Sequence, residues 1–179
     1  MDFDPASYGK DVEEVLALDG SGLRLIPLVT GSAAGNTAAR LRLLNETPRS
    51  IFPEARAPEA ALAGLWVYFS CFEEGHKLAQ DIDTPDGSYW HGILHRQEPD
   101  PGNAGYWFRR VGQHPVFPAL REKAKSLGFP GEGEWNPFQF IEFCEEARRI
   151  PGSEDEVVAC RIQLAEWQLL FDYCARPSR

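Results

Sequence analysis

Residues 153–175, SEDEVVACRIQLAEWQLLFDYCA, constrain this chain more than any other stretch. Ser153 followed by Glu156 has the spacing of a capping box, which opens a helix over 154–175. Around that helix Val157, Val158, Ile162, Leu164, Trp167, Leu169, Leu170, Phe171 and Cys174 point in most directions. A helix apolar on every side must be wrapped by others, so it is predicted to be the spine of a bundle. Glu166 is the exception. It shares a direction with Ile162, Leu169, Leu170 and Tyr173, which places a carboxylate on a buried side.

The rest of the chain supplies the wrapping. Amphipathic spacing predicts helices over 9–18, 37–45, 58–82, 86–97, 103–111, the stretch after Pro115 up to Gly128, and 135–150. Pro48, Pro53 and Pro58 interrupt the chain, ProAspProGly at 99–102 divides two helices, and Pro151–Gly152 stops another. The GSAAGN stretch at 31–36 lacks the order and the lysine of a phosphate loop and reads as a turn before helix 37–45. A brief extended piece is expected near Leu23–Ile26, but no strand pattern is convincing. The expected class is all-α: a single-domain, irregular bundle of six to eight helices. Residues 1–56 form a partly irregular N-terminal segment and 58–176 the main bundle.

Residues 83–117 hold three of the four histidines (His91, His95, His114), Trp90, Trp107, Arg96, Arg109 and Arg110. His91 and His95 have the i, i+4 spacing that lets two imidazoles on one helix face reach one metal ion. Gly92 follows His91 where a zinc protease would carry glutamate, so that mechanism is not supported. Trp90, Ile93 and Leu94 mark the packing side of helix 86–97, which turns the two histidines toward another neighbour or a cleft. On helix 58–82, Glu73, His76 and Gln80 fall in the sector of Leu62, Leu65, Trp66 and Phe69, so these polar groups are expected to point inward. Glu73 and His76 also have the Glu-x-x-His spacing of carboxylate-bridged metal sites in bundles. Two arrangements of Glu166 stay open. It joins Glu73, His76, His91 and His95 in a mixed N/O site for Zn, Fe, Mn or Ni, or it pairs with a buried arginine, Arg96 or Arg110.

A formal net charge of −9 removes nucleic acid as the default partner, because phosphate binding needs a positive surface. No apolar run is long enough to span a bilayer, and the first residues lack the pattern of a secretory signal. Cytoplasmic residence is the expectation. Cys71, Cys144, Cys160 and Cys174 have no CxxC spacing and read as buried thiols. No Gly-x-Ser-x-Gly or comparable nucleophile motif is present.

Gly92, Ala104 and Phe108, with Pro115 nearby, resemble the small–small–aromatic–Pro order of one tetratricopeptide-like hairpin. More broadly, GLWVYFSCFEEGHKLAQ followed by SYWHGILHRQEPDPGNAGYWFRRVGQHPVF resembles a family of uncharacterised bacterial and fungal proteins over roughly residues 62–118. That resemblance implies that the Glu/His and Trp-His-x-x-x-His elements occur together; it implies no activity. The expected function is binding of a small polar or anionic ligand, or a divalent metal ion, between helix 58–82 and hairpin 86–111. Glu73, His76, His91 and His95 would be the ligands, with Arg96 and Arg110 offsetting charge. The alternatives are an interaction or homodimerisation module built on the Trp/Tyr/Arg-rich hairpin, and a metal-dependent hydrolase.

Overall fold

Ten α-helical segments and no strand occur among the described residues, 3–30 and 36–177, of the computed structural model. They are α1 (Lys10–Ala17), α2 (Thr37–Leu43), α3 (Pro48–Ile51), α4 (Pro58–Tyr68), α5 (Phe72–Gln80), α6 (Pro85–Gln97), α7 (Pro101–Val111), α8 (Phe117–Ser126), α9 (Pro137–Ala147) and α10 (Glu154–Ala175). The protein is an all-α bundle with one contiguous apolar core running from Val12 to Ala175. Residues 31–35, most of the expected turn before α2, lie outside the described residues. The stretch near Leu23–Ile26 is irregular.

Local chemistry sets most boundaries. Asn36, Thr84, Asp100, Asn136 and Ser153 each cap a helix by accepting a backbone N–H, and proline opens α4, α6, α7 and α9. Both satisfy or avoid the free N–H groups of a first turn. At α10 the Ser153 hydroxyl accepts the Glu156 N–H at 3.2 Å. The Glu156 carboxylate accepts from Gly152 at 2.6 Å, one residue earlier than a capping box requires.

The expected helix 58–82 is two helices. Ser70 adopts φ +57°, the Cys71 N–H donates to the Trp66 carbonyl at 2.9 Å, and the Ser70 N–H donates to Val67 at 3.1 Å. This pair of bonds is a Schellman cap, usually built on glycine. Ser70 takes the left-handed position here, so the break carries no glycine signal in the sequence.

α10 packs against α4, α8 and α9, and the start of its first turn, Glu154 and Asp155, is exposed. Two other helices are enclosed more completely. On α4 every residue but Glu59 is buried, and on α6 every residue from Gly87 to Gln97 is. Gly64 permits the close approach of α4 to both neighbours. A Cβ there would lie 2.8 Å from the Trp90 ring and 3.1 Å from Phe171. The Trp167 indole N–H donates to the Gly64 carbonyl at 2.7 Å, locking α10 to α4. Gly92 plays the same part between α6 and α7, with a Cβ position 2.9 Å from the Phe108 ring.

Candidate metal centre

Because α6 is enclosed on all sides, consecutive residues at its C-terminal end face different neighbours. His91 and His95 turn toward α5 and α7, while Arg96, about 100° further round, turns toward α9 and α10. α5 comes close to α6 through Gly75, whose Cβ position would lie 3.3 Å from Trp66 and 3.6 Å from Leu94. That approach brings His76 onto the two histidines of α6.

The three imidazoles form one cluster. His76 Nε2 and His91 Nε2 are 3.0 Å apart, a hydrogen bond in which one ring donates to the other. His91 and His95 stack at 4.8 Å with 10° between their planes, and His76 meets His95 edge-on at 5.2 Å. One nitrogen from each ring can be chosen so that all lie within 4.8 Å of one another. Tetrahedral zinc–imidazole bonds would set these nitrogens about 3.3 Å apart, so the longest separation needs roughly 1.5 Å of side-chain rotation. Trp107 of α7 stacks on the far face of His91 at 3.9 Å, and Phe72 lies beside His76 at 5.6 Å. His91 Nδ1 is buried without a hydrogen-bond partner. His95 Nδ1 is 3.0 Å from a Glu98 carboxylate oxygen.

The surroundings favour the neutral form of the two α6 rings, His91 and His95. Burial, followed by repulsion from His76 and His95, pushes the His91 pKa down to about 3. Burial and His76 also lower that of His95, against the opposing pull of Glu98. A neutral imidazole keeps the lone pair a metal ion needs.

The remaining expected site residues are elsewhere. Glu73 is exposed, because the break at Ser70 re-aims α5 relative to α4 and the angular extrapolation across it fails. Gln80 is exposed for the same reason. Arg110 lies at the surface, 3.1 Å from Asp83. Glu166 and Arg96, both fully buried, pair with each other through Arg96 Nη2 and Glu166 Oε2. Tyr89 donates to Glu166 at 3.0 Å, and Arg96 donates to Gln163 Oε1 at 3.1 and 3.3 Å. Gln163 passes its amide protons to the carbonyls of Ile26 and Pro27. The guanidinium also lies 4.5 Å over the Phe140 ring. This is a closed structural network, and neither of its charges reaches the histidines.

Three features escaped the sequence reading. Trp107 covers His91, a tertiary contact with no spacing signal. Glu98 stands three residues after His95, a His-x-x-Glu spacing that was legible. The third is a pairing of buried His114 with half-buried Asp86, His114 Nε2 lying 2.9 Å from Asp86 and its Nδ1 accepting the Val116 N–H at 3.3 Å. Both ring nitrogens are used, so this histidine fastens the α7–α8 connection to the start of α6.

Fold and site together define an all-α protein with a three-histidine cluster between α5 and α6. No helix among the described residues is long and apolar enough to cross a membrane. No family model matches the chain, and neither a curated protein nor a solved structure is significantly similar to it.

Proposed function

We propose that this protein binds a divalent transition-metal ion, zinc foremost, through His76, His91 and His95. The observation that carries the reading is the convergence of three imidazoles from two helices, with nitrogens within 4.8 Å of one another. Structural cores rarely gather titratable groups that repel when charged and leave a buried ring nitrogen unpartnered. All-nitrogen ligation suits zinc, copper, iron or nickel better than calcium or magnesium, which select oxygen. Three protein ligands leave a coordination position for water or a small anion, which joins the metal and small-anion expectations in one site.

The test is titration of metal-free protein with Zn²⁺ or Co²⁺. The expected result is one equivalent bound, with the visible absorption of a low-coordinate cobalt–nitrogen site, and loss of both in His91→Ala. Absence of stoichiometric binding by the unaltered chain overturns the reading.

The other readings have less support. For an interaction module, Tyr106 and Phe138 are the exposed aromatics of the α7–α9 face, but Trp90 is fully buried and Trp107 only half-exposed. The tetratricopeptide-like reading of the α6–α7 hairpin rests on the Gly92–Phe108 contact alone. A hydrolase needs a base beside the ion, and Glu98, the carboxylate in contact with the cluster, is engaged by His95.

A further inference from the structure

His95 has a hydrogen-bond partner outside the three-ring cluster. Glu98 caps the C-terminus of α6, its N–H directed at the Leu94 and His95 carbonyls. This local geometry returns its side chain over the preceding turn, 3.0 Å from His95 Nδ1. A carboxylate accepts hydrogen bonds and does not donate them. The proton of neutral His95 therefore sits on Nδ1, and the lone pair is on Nε2. Asp100 also bears electrostatically on His95, but its oxygens are committed to the start of α7, accepting from the Asn103 backbone at 3.1 Å and side chain at 2.6 Å.

Resting on the metal reading, we infer that Glu98 is a positioning residue for this centre. It holds His95 as the Nδ1–H tautomer and in a fixed ring orientation, so that Nε2 is the atom offered to the ion. An isolated histidine side chain favours the opposite tautomer, with the proton on Nε2, so the carboxylate reverses the intrinsic preference. Once an ion binds, it withdraws electron density from the ring and makes Nδ1–H a stronger donor. The bond to Glu98 then tightens, and the carboxylate raises the basicity of the ligating nitrogen. Glu98 is partly exposed, with 45% of its side chain accessible, so its replacement leaves the core intact.

The experiment pairs two readouts on the unaltered chain, Glu98→Ala and Glu98→Gln. In metal-free protein, nitrogen-15 chemical shifts of His95 report the tautomer. The expected result is Nδ1–H in the unaltered chain and a shift toward Nε2–H in Glu98→Ala. Zn²⁺ titration against a competing chelator reports affinity, expected to weaken about 10–100-fold in Glu98→Ala. Glu98→Gln retains an accepting oxygen and is expected to keep the tautomer with an intermediate affinity loss. If the unaltered chain binds zinc and Glu98→Ala binds it equally well with an unchanged His95 tautomer, the role of Glu98 is overturned and the metal site stands. If the unaltered chain binds no ion, both are overturned, and the shifts still show whether Glu98 sets the His95 proton.

Discussion

Two buried polar clusters meet at the C-terminal end of α6, and adjacent residues belong to different ones. Arg96 enters a network in which Glu166, Tyr89, Gln163 and the carbonyls of Ile26 and Pro27 match donors with acceptors. His95 enters a cluster of like groups, where His91 Nδ1 has no partner and protonation of one ring opposes protonation of the next. The first arrangement is complete without any ligand. The second leaves one ring nitrogen unmatched, and on the proposed reading a cation would complete it. Burial alone does not separate structure from function here; the balance of donors and acceptors does.

The comparison breaks first if the Arg96 network proves dispensable. Truncating one member leaves the other as an uncompensated charge at zero exposure. Arg96→Met or Glu166→Leu is therefore expected to cost about 3–5 kcal/mol, measured by urea unfolding. The double variant Arg96→Met/Glu166→Leu is expected to recover much of that loss, because an apolar pair needs no desolvation of charge. None of the three is expected to change zinc stoichiometry wherever the chain folds. A single variant with unchanged stability would show that the network contributes packing only.

The histidine cluster is expected to answer to metal. Zinc at a hundred-fold excess over its Kd should raise unfolding free energy by about 2.7 kcal/mol, and a chelator should reverse this. His91→Ala should abolish the gain, whereas the Arg96 variants should keep it. Without metal the same cluster makes the fold acid-sensitive. An unfolded chain protonates His91 near 6.5, and the folded one only at about 3. Between those values the unfolded state binds the extra proton, so stability falls as pH falls, by at most about 1.4 kcal/mol per unit. The loss is complete once the pH passes below the lower value. A pH series of unfolding midpoints should be shallower in His91→Asn, and a slope identical to that of the unaltered chain would sink this account.

How far the sequence reveals these clusters follows from the range of the forces involved. The caps at Thr84, Asp100, Asn136 and Ser153 are local hydrogen bonds written in one side chain each, and they place the helices well. The His-x-x-x-His pair is legible because it lies within one helix. Glu166 is legible as a buried carboxylate from the apolar directions around it, but the choice of Arg96 over Arg110 depends on how α6 and α10 cross, which no local pattern encodes. The clearest error has a small physical cause. Serine at position 70 occupies a left-handed cap usually signalled by glycine, so periodicity alone carries the helix through its own end and aims Glu73 inward. His76 joins the cluster nonetheless, because Gly75 lets α5 settle closely on Trp66 and Leu94.

That error yields the smallest and sharpest prediction. A continuous helix would make Glu73 a ligand, and its loss would then weaken metal binding and leave a buried histidine exposed to solvent. With the Schellman cap at Ser70, Glu73 faces solvent in the first turn of α5, where its charge interacts favourably with the helix dipole and with nothing in the cluster. Arg110, paired with Asp83 at the surface, is equally remote. Glu73→Ala and Arg110→Ala are each expected to change stability by at most about 0.5 kcal/mol. Neither should alter zinc affinity. Ser70→Gly should be neutral or slightly stabilising, since glycine adopts positive φ without the steric cost that serine bears. A marked loss of affinity in Glu73→Ala would mean that α5 rotates in solution to present its carboxylate. The cluster would then carry an oxygen ligand beside its three nitrogens, and the contrast with the Arg96 network would become one between two charged sites.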